Sequence, residues 1–408
     1  MEGQPPESSR SLSGFTWGIC VLLFVGTLLN YLDRQVMALT ADKIIADFHL
    51  SKENLGGIIS SFRYTYGLGH IVGGFLIDAY GTRFVYPFAG GVWSLGGLLM
   101  GFAGTVGLLR GFNAVLGAGE AFNFPCALKA TATLVPEGER TFANGIFNSG
   151  APIGALLAPI IITPLAIYYS WRAAFVVTGG LGFVWVVVWL WYTRGSGEKL
   201  KGAGFVWRDA WHSARHVISL PGFWVLAVSS IIINSTNYYL ADWVPLYLKT
   251  ARGFSFARGN VLSIAIFVGT WLGYLLTGLF VRRLVDWGVE ISAAKKWALF
   301  LSCVFLGAAV PAGLTPYRYL AVGCLVFTGF GMAGFMLIYV TLAQDLDPAR
   351  VGVTGGLLGG LGNLVYGYLS PYIGRLADME RSSFTLTMIG CLPWLAFLAI
   401  YVGIKAKK

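Results

Sequence analysis

The stretch Asn30-Tyr31-Leu32-Asp33-Arg34-Gln35-Val36-Met37 stands at the far end of an otherwise apolar run that begins near Phe15. Such a run is long enough to cross a bilayer as a helix, which takes about 20 residues. Asp33 and Arg34 therefore fall inside a predicted membrane span. A charge at that depth is costly and persists where it faces a polar cavity or a partner. We interpret the stretch as part of a functional site; the alternative is an ion pair that only holds helices together.

The composition is that of a polytopic membrane protein. Of the 408 residues, 56% are hydrophobic and 12% are charged, whereas an ordinary soluble domain carries about 25% charged residues. Glycine is abundant, at 55 residues, and small residues allow membrane helices to approach each other closely. A bundle of membrane helices is predicted rather than a soluble globule.

Twelve apolar stretches are long enough to span a bilayer. The third and fourth are separated by little more than Gly104, and Pro164 is expected to kink the fifth. We predict an all-α membrane protein with twelve transmembrane helices, near residues 15–41, 54–77, 84–103, 105–130, 142–168, 173–193, 222–248, 260–281, 297–314, 317–343, 352–374 and 384–404.

The basic residues predict the topology. Most Lys and Arg lie in segments on the same side as the N-terminus, and cytoplasmic loops carry the excess of positive residues. Both termini are therefore expected in the cytoplasm, with the chain in the inner (plasma) membrane. This distribution explains the net charge of +10 without a nucleic-acid partner. Residues 1–13 lack the features of a cleavable signal, so we expect the first span to be retained.

The sequence predicts no disulfide framework, metal or cofactor. The five cysteines all lie in apolar runs, and their number is odd. A membrane-embedded enzyme would carry a His-Glu-x-x-His zinc motif or a Gly-x-Ser-x-Gly nucleophile turn, and the sequence contains neither. A non-transporting sensor would normally append a soluble signalling domain, which is also absent from this sequence.

A polar segment divides the chain into two halves of six spans each. We predict an N-terminal half at 1–193, a cytoplasmic linker at 194–221 and a C-terminal half at 222–408. The linker pattern of Trp207, Arg208, Trp211 and Arg215 fits a helix lying at the membrane interface, and a solvated connector fits equally well. The halves resemble each other around residues 136–145 and 347–352, which predicts two six-helix pseudo-repeats. Repeats of this kind place a substrate site near mid-membrane between halves that rock about it.

Several motifs carry a specific resemblance. The loop Gly74-x-x-x-Asp78-x-x-Gly81-x-Arg83, with twelve spans in two halves, resembles the major facilitator superfamily. Within it, the chain is similar to the anion:cation symporter family, which includes bacterial hexuronate and galactonate transporters and the vesicular glutamate and sialic acid transporters. That similarity rests on the motifs Asn30-Tyr31-Leu32-Asp33-Arg34, Phe62-x-x-x-Tyr66, Leu116-Gly117-x-Gly119-Glu120-Ala121, Phe147-Asn148-Ser149-Gly150, Ser170-Trp171-Arg172-Ala173-Ala174-Phe175 and Gln344-Asp345-Leu346-x-Pro348.

The resemblance implies roles for individual residues. It implies that Asp33 and Glu120 are the protonatable carboxylates, and that Tyr31, Arg34, Tyr66 and Asn363 line the substrate site. We also include Asn148 among the substrate-binding residues. Adjacent residues on a helix point about 100° apart, so Asp33 and Arg34 do not face each other, and Glu120 is the expected partner of Arg34.

The chain departs from its relatives at one position. Many relatives carry an arginine seven residues before the fourth-span glutamate, where this chain has Asn113. Here Arg63 lies in the second span, where relatives are usually uncharged. Two interpretations fit: Arg63 replaces the missing charge, or it recognises a different substrate. We count Arg63 among the substrate-binding residues.

Other polar residues support weaker hypotheses. Asn234, Asn237 and Tyr238 share a face of the seventh span and either bind sugar hydroxyls or join helices; we include Asn237 in the predicted site. His70 lies on the same face as Arg63, and an interhelical hydrogen bond is the favoured interpretation. Asp78, Gly81 and Arg83 are predicted to control the conformational change, because they lie at a helix end beside the cytosol.

The predicted function is proton symport of a small organic anion, with a sugar acid such as a hexuronate or aldonate as the substrate. The alternative is a carrier with different ion coupling for another organic anion, such as a dicarboxylate, an amino-acid derivative or sialic acid. A monomer is expected, because the site lies between two halves of one chain.

Overall fold

The computed structural model describes residues 14–135, 140–196 and 207–403. These residues form sixteen α-helices and a short 3-10 helix at Arg194–Ser196, with no β-strand among them. The helices are α1 (Gly14–Phe48), α2 (Lys52–Tyr80), α3 (Thr82–Met100), α4 (Val106–Glu120), α5 (Asn123–Leu134), α6 (Arg140–Tyr168), α7 (Trp171–Tyr192), α8 (Trp207–Ser219), α9 (Pro221–Asp242), α10 (Val244–Thr250), α11 (Phe256–Asp286), α12 (Ile291–Leu306), α13 (Ala309–Leu314), α14 (Arg318–Leu346), α15 (Val351–Asp378) and α16 (Ser382–Gly403).

Twelve spans account for fifteen of these helices. Nine spans are single helices, and three are broken pairs: α4 with α5, α9 with α10, and α12 with α13. The twelve-span prediction is confirmed, and the fourth, seventh and ninth spans are each divided into two helices. By length and mean hydropathy alone, seven spans of the described chain qualify as membrane-crossing, or eight with the bent pair formed by α8 and α9.

Proline explains where the three spans break. Proline lacks a backbone N–H, and its ring clashes with the carbonyl four residues earlier. Pro125 and Pro311 lie four residues after the breaks at Ala121 and Gly307, and Pro245 lies two residues after the break at Trp243. Two of these breaks directly follow an acidic residue, Glu120 at the end of α4 and Asp242 at the end of α9. Pro164, by contrast, lies within the single helix α6.

Glycines bring α4 against α2 and α3. A Cβ added to Gly117 would lie 2.4 Å from the carbonyl oxygen of Phe62, and one added to Gly96 would lie 2.5 Å from the backbone nitrogen of Leu116. Only helices without side chains at these points approach so closely. The close approach carries Glu120, at the end of α4, into the interior of the bundle, where it is fully buried.

The α3–α4 contact gives a prediction for stability. A Cβ on Gly119 would lie 2.4 Å from the backbone nitrogen of Trp93, so Gly119→Ala forces a backbone shift. We expect it to lower the free energy of unfolding by about 1–3 kcal/mol, measured as a lower melting temperature of the purified protein. Gly111→Ala on the same helix is the control, because its Cβ would meet nothing within 4 Å. Equal melting temperatures for the two variants would contradict this packing.

The helices α2 and α15 join the two halves along most of their length. The Ser60 hydroxyl donates to the carbonyl oxygen of Gly367 at 2.5 Å, and a Cβ on Gly67 would lie 2.9 Å from the carbonyl oxygen of Gly360. This packing positions Arg63 of α2 against the C-terminal half.

The helix α8 lies in the predicted linker and meets α9 at 89°. A helix perpendicular to a span is compatible with the interfacial position expected from Trp211 and Arg215. Residues 197–206 of the linker lie outside the described part of the chain, as do residues 136–139 of the loop used to compare the halves. The division into 1–193, 194–221 and 222–408 stays a prediction.

Candidate functional site

Arg34 and Glu120 form a buried ion pair within the N-terminal half. The Nε and Nη2 atoms of Arg34 donate to Oε2 of Glu120 at 3.1 and 2.9 Å, and Nη2 also donates to the Asn30 side-chain oxygen at 3.2 Å. The other carboxylate oxygen of Glu120 is buried and has no hydrogen-bond partner among the described residues. The expected partnership of Arg34 with Glu120 is confirmed.

Aromatic rings surround the guanidinium group of Arg34. Its Cζ lies 4.6 Å from the ring centre of Tyr66, 4.9 Å from that of Tyr31 and 5.6 Å from that of Phe62. Rings at this distance attract a cation and shield it from water. The structure therefore brings together four of the predicted residues, Tyr31, Arg34, Tyr66 and Glu120.

Asp33 lies next to Arg34 in the chain but takes no part in the hydrogen bonds of the Arg34–Glu120 pair. Its side chain is 2% exposed, and neither carboxylate oxygen has a hydrogen-bond partner in the described part of the chain. Burying a carboxylate without a hydrogen-bond partner is costly, which marks Asp33 as a candidate functional residue.

Arg63 pairs with Asp242 of the other half. Nη2 of Arg63 lies 2.9 Å from Oδ1 and 2.7 Å from Oδ2 of Asp242, and the Tyr366 hydroxyl donates to Oδ2 at 3.2 Å. The guanidinium Cζ lies 3.9 Å from the ring centre of Tyr238 and 5.3 Å from that of Tyr366. In this conformation the counter-ion of Arg63 is thus Asp242 rather than Glu120.

Sequence reasoning did not single out Asp242. The charged residues that it placed in the site, Asp33, Arg34, Arg63 and Glu120, all lie in the first half. Asp242 does end a helix, but the helix ends inside the seventh span, and the side chain is 10% exposed. The signal that would have found it is Pro245, three residues later, which breaks the span beside an acidic residue.

One small cavity lies between the two ion pairs. It has a volume of about 20 Å³, and its lining includes Asp33, Arg34, Arg63, Asn113 and Asp242. A volume of this size holds about one water molecule, so the halves must separate to admit a larger solute. Asn113 donates its amide to the carbonyl oxygen of Ile58 at 2.8 Å.

The predicted asparagines lie in different surroundings. Asn363 is fully buried and donates to the Tyr238 hydroxyl at 2.8 Å, which places it beside Arg63. Asn237 is half-buried on α9, and Asn148 is exposed on α6, where its amide donates to the Asn144 carbonyl oxygen. In the described chain, neither Asn148 nor Asn237 makes a hydrogen bond to an arginine. Asn234 donates to Ser230, which agrees with a structural role.

His70 and the predicted gating loop lie farther along α2. The ring centres of His70 and Tyr66 are 4.5 Å apart. The buried Nε2 of His70 has no hydrogen-bond partner among the described residues. Gly81 joins α2 to α3 at φ 77°, a conformation that favours glycine. Arg83 lies near the start of α3, and the Asp78 side chain lies outside what the structure describes. The gating role of Asp78, Gly81 and Arg83 stays a prediction.

The turn between α14 and α15 is organised by Asp347. Its Oδ2 accepts from Arg350 at 2.9 Å, and its Oδ1 accepts from the backbone N–H of Ala349 at 3.2 Å. The hydrogen bond from Arg350 lowers the pKa of Asp347, so the carboxylate stays ionised and continues to cap the turn at neutral pH.

A family comparison identifies this arrangement. The model of the Major Facilitator Superfamily matches residues 23–367. The chain belongs to the major facilitator superfamily. Its spans, ion pairs and broken helices are thus those of a transporter rather than an enzyme, as predicted from the sequence.

Individual relatives narrow the resemblance to one branch. The chain is similar to the hexuronate transporter of Escherichia coli K12, at 27% identity, covering 98% of this chain and 96% of that protein. It is similar to the D-galactonate transporter of Escherichia coli O6:H1, at 29% identity, covering 92% and 94%. A probable galactarate/D-glucarate transporter of Escherichia coli K12 is 26% identical over 93% of this chain and 92% of its own length. These relatives confirm the resemblance to the anion:cation symporter family.

Solved structures share the fold. A D-xylose-proton symporter superposes with a TM-score of 0.75 at 15% identity, covering 96% of this chain and 98% of that one. A bacterial homologue of the human lysosomal transporter Spinster, in an inward-facing and occupied conformation, gives a TM-score of 0.74 at 18% identity, covering 98% and 97%. The prediction of the major facilitator fold, with twelve helices in two six-helix pseudo-repeats, is confirmed.

Proposed function

We propose that this protein is a proton-coupled symporter that imports a small organic anion, and that the substrate is a sugar acid such as a hexuronate or an aldonate. The relatives named above support the substrate class. The observation that carries the proposal is the buried Arg34–Glu120 pair beside Asp33. The guanidinium fork of Arg34 matches a substrate carboxylate. The carboxylates of Asp33 and Glu120 lie next to Arg34 and take the protons.

The mechanism exchanges one carboxylate for another at Arg34. Without substrate, Glu120 neutralises Arg34 through Nε and Nη2. When the substrate carboxylate binds Arg34, Glu120 loses its cation and becomes a buried charge unless it takes a proton. Substrate binding and proton binding are thereby linked at one arginine. Asp33 carries a second proton through the change between outward-facing and inward-facing states.

The contacts between the halves support alternating access. Lys249 of α10 donates to Asp42 of α1 at 2.7 Å, and Asp378 of α15 accepts from the backbone N–H groups of Lys52 and Glu53. These contacts close the end of the bundle at which α1 joins α2. With both termini in the cytoplasm, that end faces outward, so this conformation is closed to the outside. Exposed Asn148 lies toward the opposite end.

The proposed setting is the inner (plasma) membrane, with the chain acting as a monomer among lipids. Both carboxylate–arginine pairs and their aromatic surroundings come from a single chain, so the site needs no second subunit. Asp78, Gly81 and Arg83 are proposed to govern closure of the cytoplasmic end.

A second candidate is a carrier of another organic anion with different ion coupling. The observation that favours it is Arg63, a second buried arginine at the cavity. The substrate would then be a dicarboxylate, an amino-acid derivative or sialic acid.

The test is uptake into liposomes that contain the purified protein. With an acidic exterior, we expect labelled galactonate or glucuronate to accumulate, and a protonophore should abolish accumulation because the proton gradient supplies the free energy. Unlabelled dicarboxylates, amino acids and sialic acid serve as competitors. Uptake that is indifferent to the proton gradient would refute the coupling, and absence of uptake for every sugar acid would refute the substrate class.

A further inference from the structure

Two buried arginine–carboxylate pairs border one cavity, and the mechanism above uses only one of them. Arg34 pairs with Glu120 inside the N-terminal half, whereas Arg63 reaches from α2 to Asp242 in the C-terminal half. Asp33 and Asn113 also line the cavity. The second pair therefore needs a role of its own.

The hydrogen bonds of Arg63 leave several of its donors unused. A guanidinium group carries five N–H donors in a fork that suits a carboxylate. Asp242 contacts a single nitrogen, Nη2, with both of its oxygens. Nε and Nη1 of Arg63 are buried and have no hydrogen-bond partner among the described residues. Leaving buried donors unpaired is costly, so Arg63 is ready for a further acceptor.

We propose that Arg63 binds a second carboxylate of the substrate, and that the site therefore prefers sugar diacids (aldarates) to sugar acids with one carboxylate. Asp242 is the counter-ion of Arg63 in the absence of substrate, and the second carboxylate replaces it. The Tyr366 hydroxyl, which donates to Oδ2 of Asp242, then stabilises the released carboxylate. This inference rests on the proposed function, because it takes Arg34 to bind the first carboxylate.

The spacing of the two arginines fits a diacid. The Cζ atoms of Arg34 and Arg63 lie 5.6 and 5.4 Å from the centre of the same Phe62 ring, so they are at most 11.0 Å apart. An extended chain gains roughly 1.2 Å per bond, which places the two carboxylate carbons of a six-carbon diacid about 6 Å apart. Hydrogen bonds of roughly 2.8 Å at each end, together with the covalent bonds beside them, make a fully extended diacid longer than 11.0 Å, so the spacing fits a bent diacid.

The surroundings of Arg63 supply specificity for such a ligand. Its partners Asp242, Tyr238 and Tyr366 all belong to the C-terminal half, whereas the contacts of Arg34 named above belong to the N-terminal half. Both arginines belong to the N-terminal half, so a diacid held by them would replace the Arg63–Asp242 link between the halves. A monoacid would bind Arg34 and leave that link in place.

The test uses a matched pair of ligands, galactonate and galactarate, which differ only in the group at C6, a hydroxymethyl or a carboxylate. Binding of each is measured by calorimetry on the purified full-length protein. We expect the wild-type protein to bind galactarate about tenfold or more tightly than galactonate, since one additional charge-assisted contact is made. Equal affinities would overturn the inference and leave the proposed function standing. Binding of neither acid would refute the proposed function itself.

The matched variant removes the whole second pair. Arg63→Gln with Asp242→Asn leaves no unpaired charge, and replacing both partners of a buried pair is often tolerated. We expect its affinity for galactarate to fall about tenfold more than its affinity for galactonate, which removes the preference for galactarate. A retained preference would overturn the inference. An equal loss of affinity for both acids in a folded double variant would also overturn it, because the Arg63–Asp242 pair would then serve only to hold the helices together.

A second variant keeps the test decisive if the double variant does not fold. Arg63→Lys retains the charge but lacks the fork. It should weaken galactarate binding selectively, and a parallel loss of galactonate binding would contradict a role in recognising the second carboxylate.

Discussion

Arg34→Lys is expected to reduce substrate binding and transport about 100-fold, although it keeps the positive charge. Two nitrogens of Arg34 now meet one oxygen of Glu120, and the same two are available to a substrate carboxylate. Lysine offers a single ammonium group, which cannot form the fork and does not stack in the same way between Tyr31 and Tyr66. A loss of roughly 3 kcal/mol for a charge-assisted, partly dry contact corresponds to that factor.

The measurements are equilibrium binding to the purified protein and counterflow in liposomes. Arg110→Lys is the matched control, because Arg110 lies on α4 with an exposed side chain and is absent from the cavity lining. It should leave both quantities close to wild type. If Arg34→Lys and Arg34→Ala both bind substrate with near-normal affinity, Arg34 is not the carboxylate-binding residue.

Glu120→Gln is expected to separate substrate exchange from proton-driven accumulation. Glutamine mimics the protonated acid, so the variant should bind substrate and exchange it across the membrane, yet fail to concentrate it on a proton gradient. The side chain is fully buried, and among the described residues its ion-pair partner is Arg34. Removing the negative charge removes the competitor for that arginine, so we also expect equal or tighter substrate binding.

The energetics make the loss large. A monoanion entering a cell moves against an inside-negative potential, at about 2.3 kcal/mol per charge per 100 mV. One proton per anion only neutralises the moving charge, whereas two protons allow the membrane potential to drive accumulation. Under the proposed coupling, Asp33 and Glu120 each carry one proton, so losing either proton site should abolish voltage-driven accumulation of a monoanion.

The assay compares proton-driven uptake with counterflow in the same liposomes. Glu290→Gln is the control, because Glu290 is an exposed acidic residue at the start of α12; it should leave both activities unchanged. A Glu120→Gln protein that still concentrates substrate on a proton gradient would refute the proposed coupling at Glu120.

Much of this protein could be predicted from its sequence, because the bilayer imposes simple local requirements. Apolar length predicts the spans, since every backbone polar group in lipid must be bonded within its own helix. Intramembrane charge marks Asp33, Arg34 and Glu120, because such residues are costly without a function or a partner. The pairing of Arg34 with Glu120 followed from the same reasoning, as few other groups were available to neutralise that arginine.

Only the tertiary structure decided the partner of Arg63. Asp242 lies 179 positions away in the chain, and its meeting with Arg63 depends on how α2, α9 and α15 pack. That packing is set by glycines such as Gly67, Gly360 and Gly367, whose close contacts arise between helices from opposite halves. A local pattern shows which residues need a partner, but it does not contain the geometry that chooses the partner. The pairing of distant charges is therefore a property of the assembled bundle.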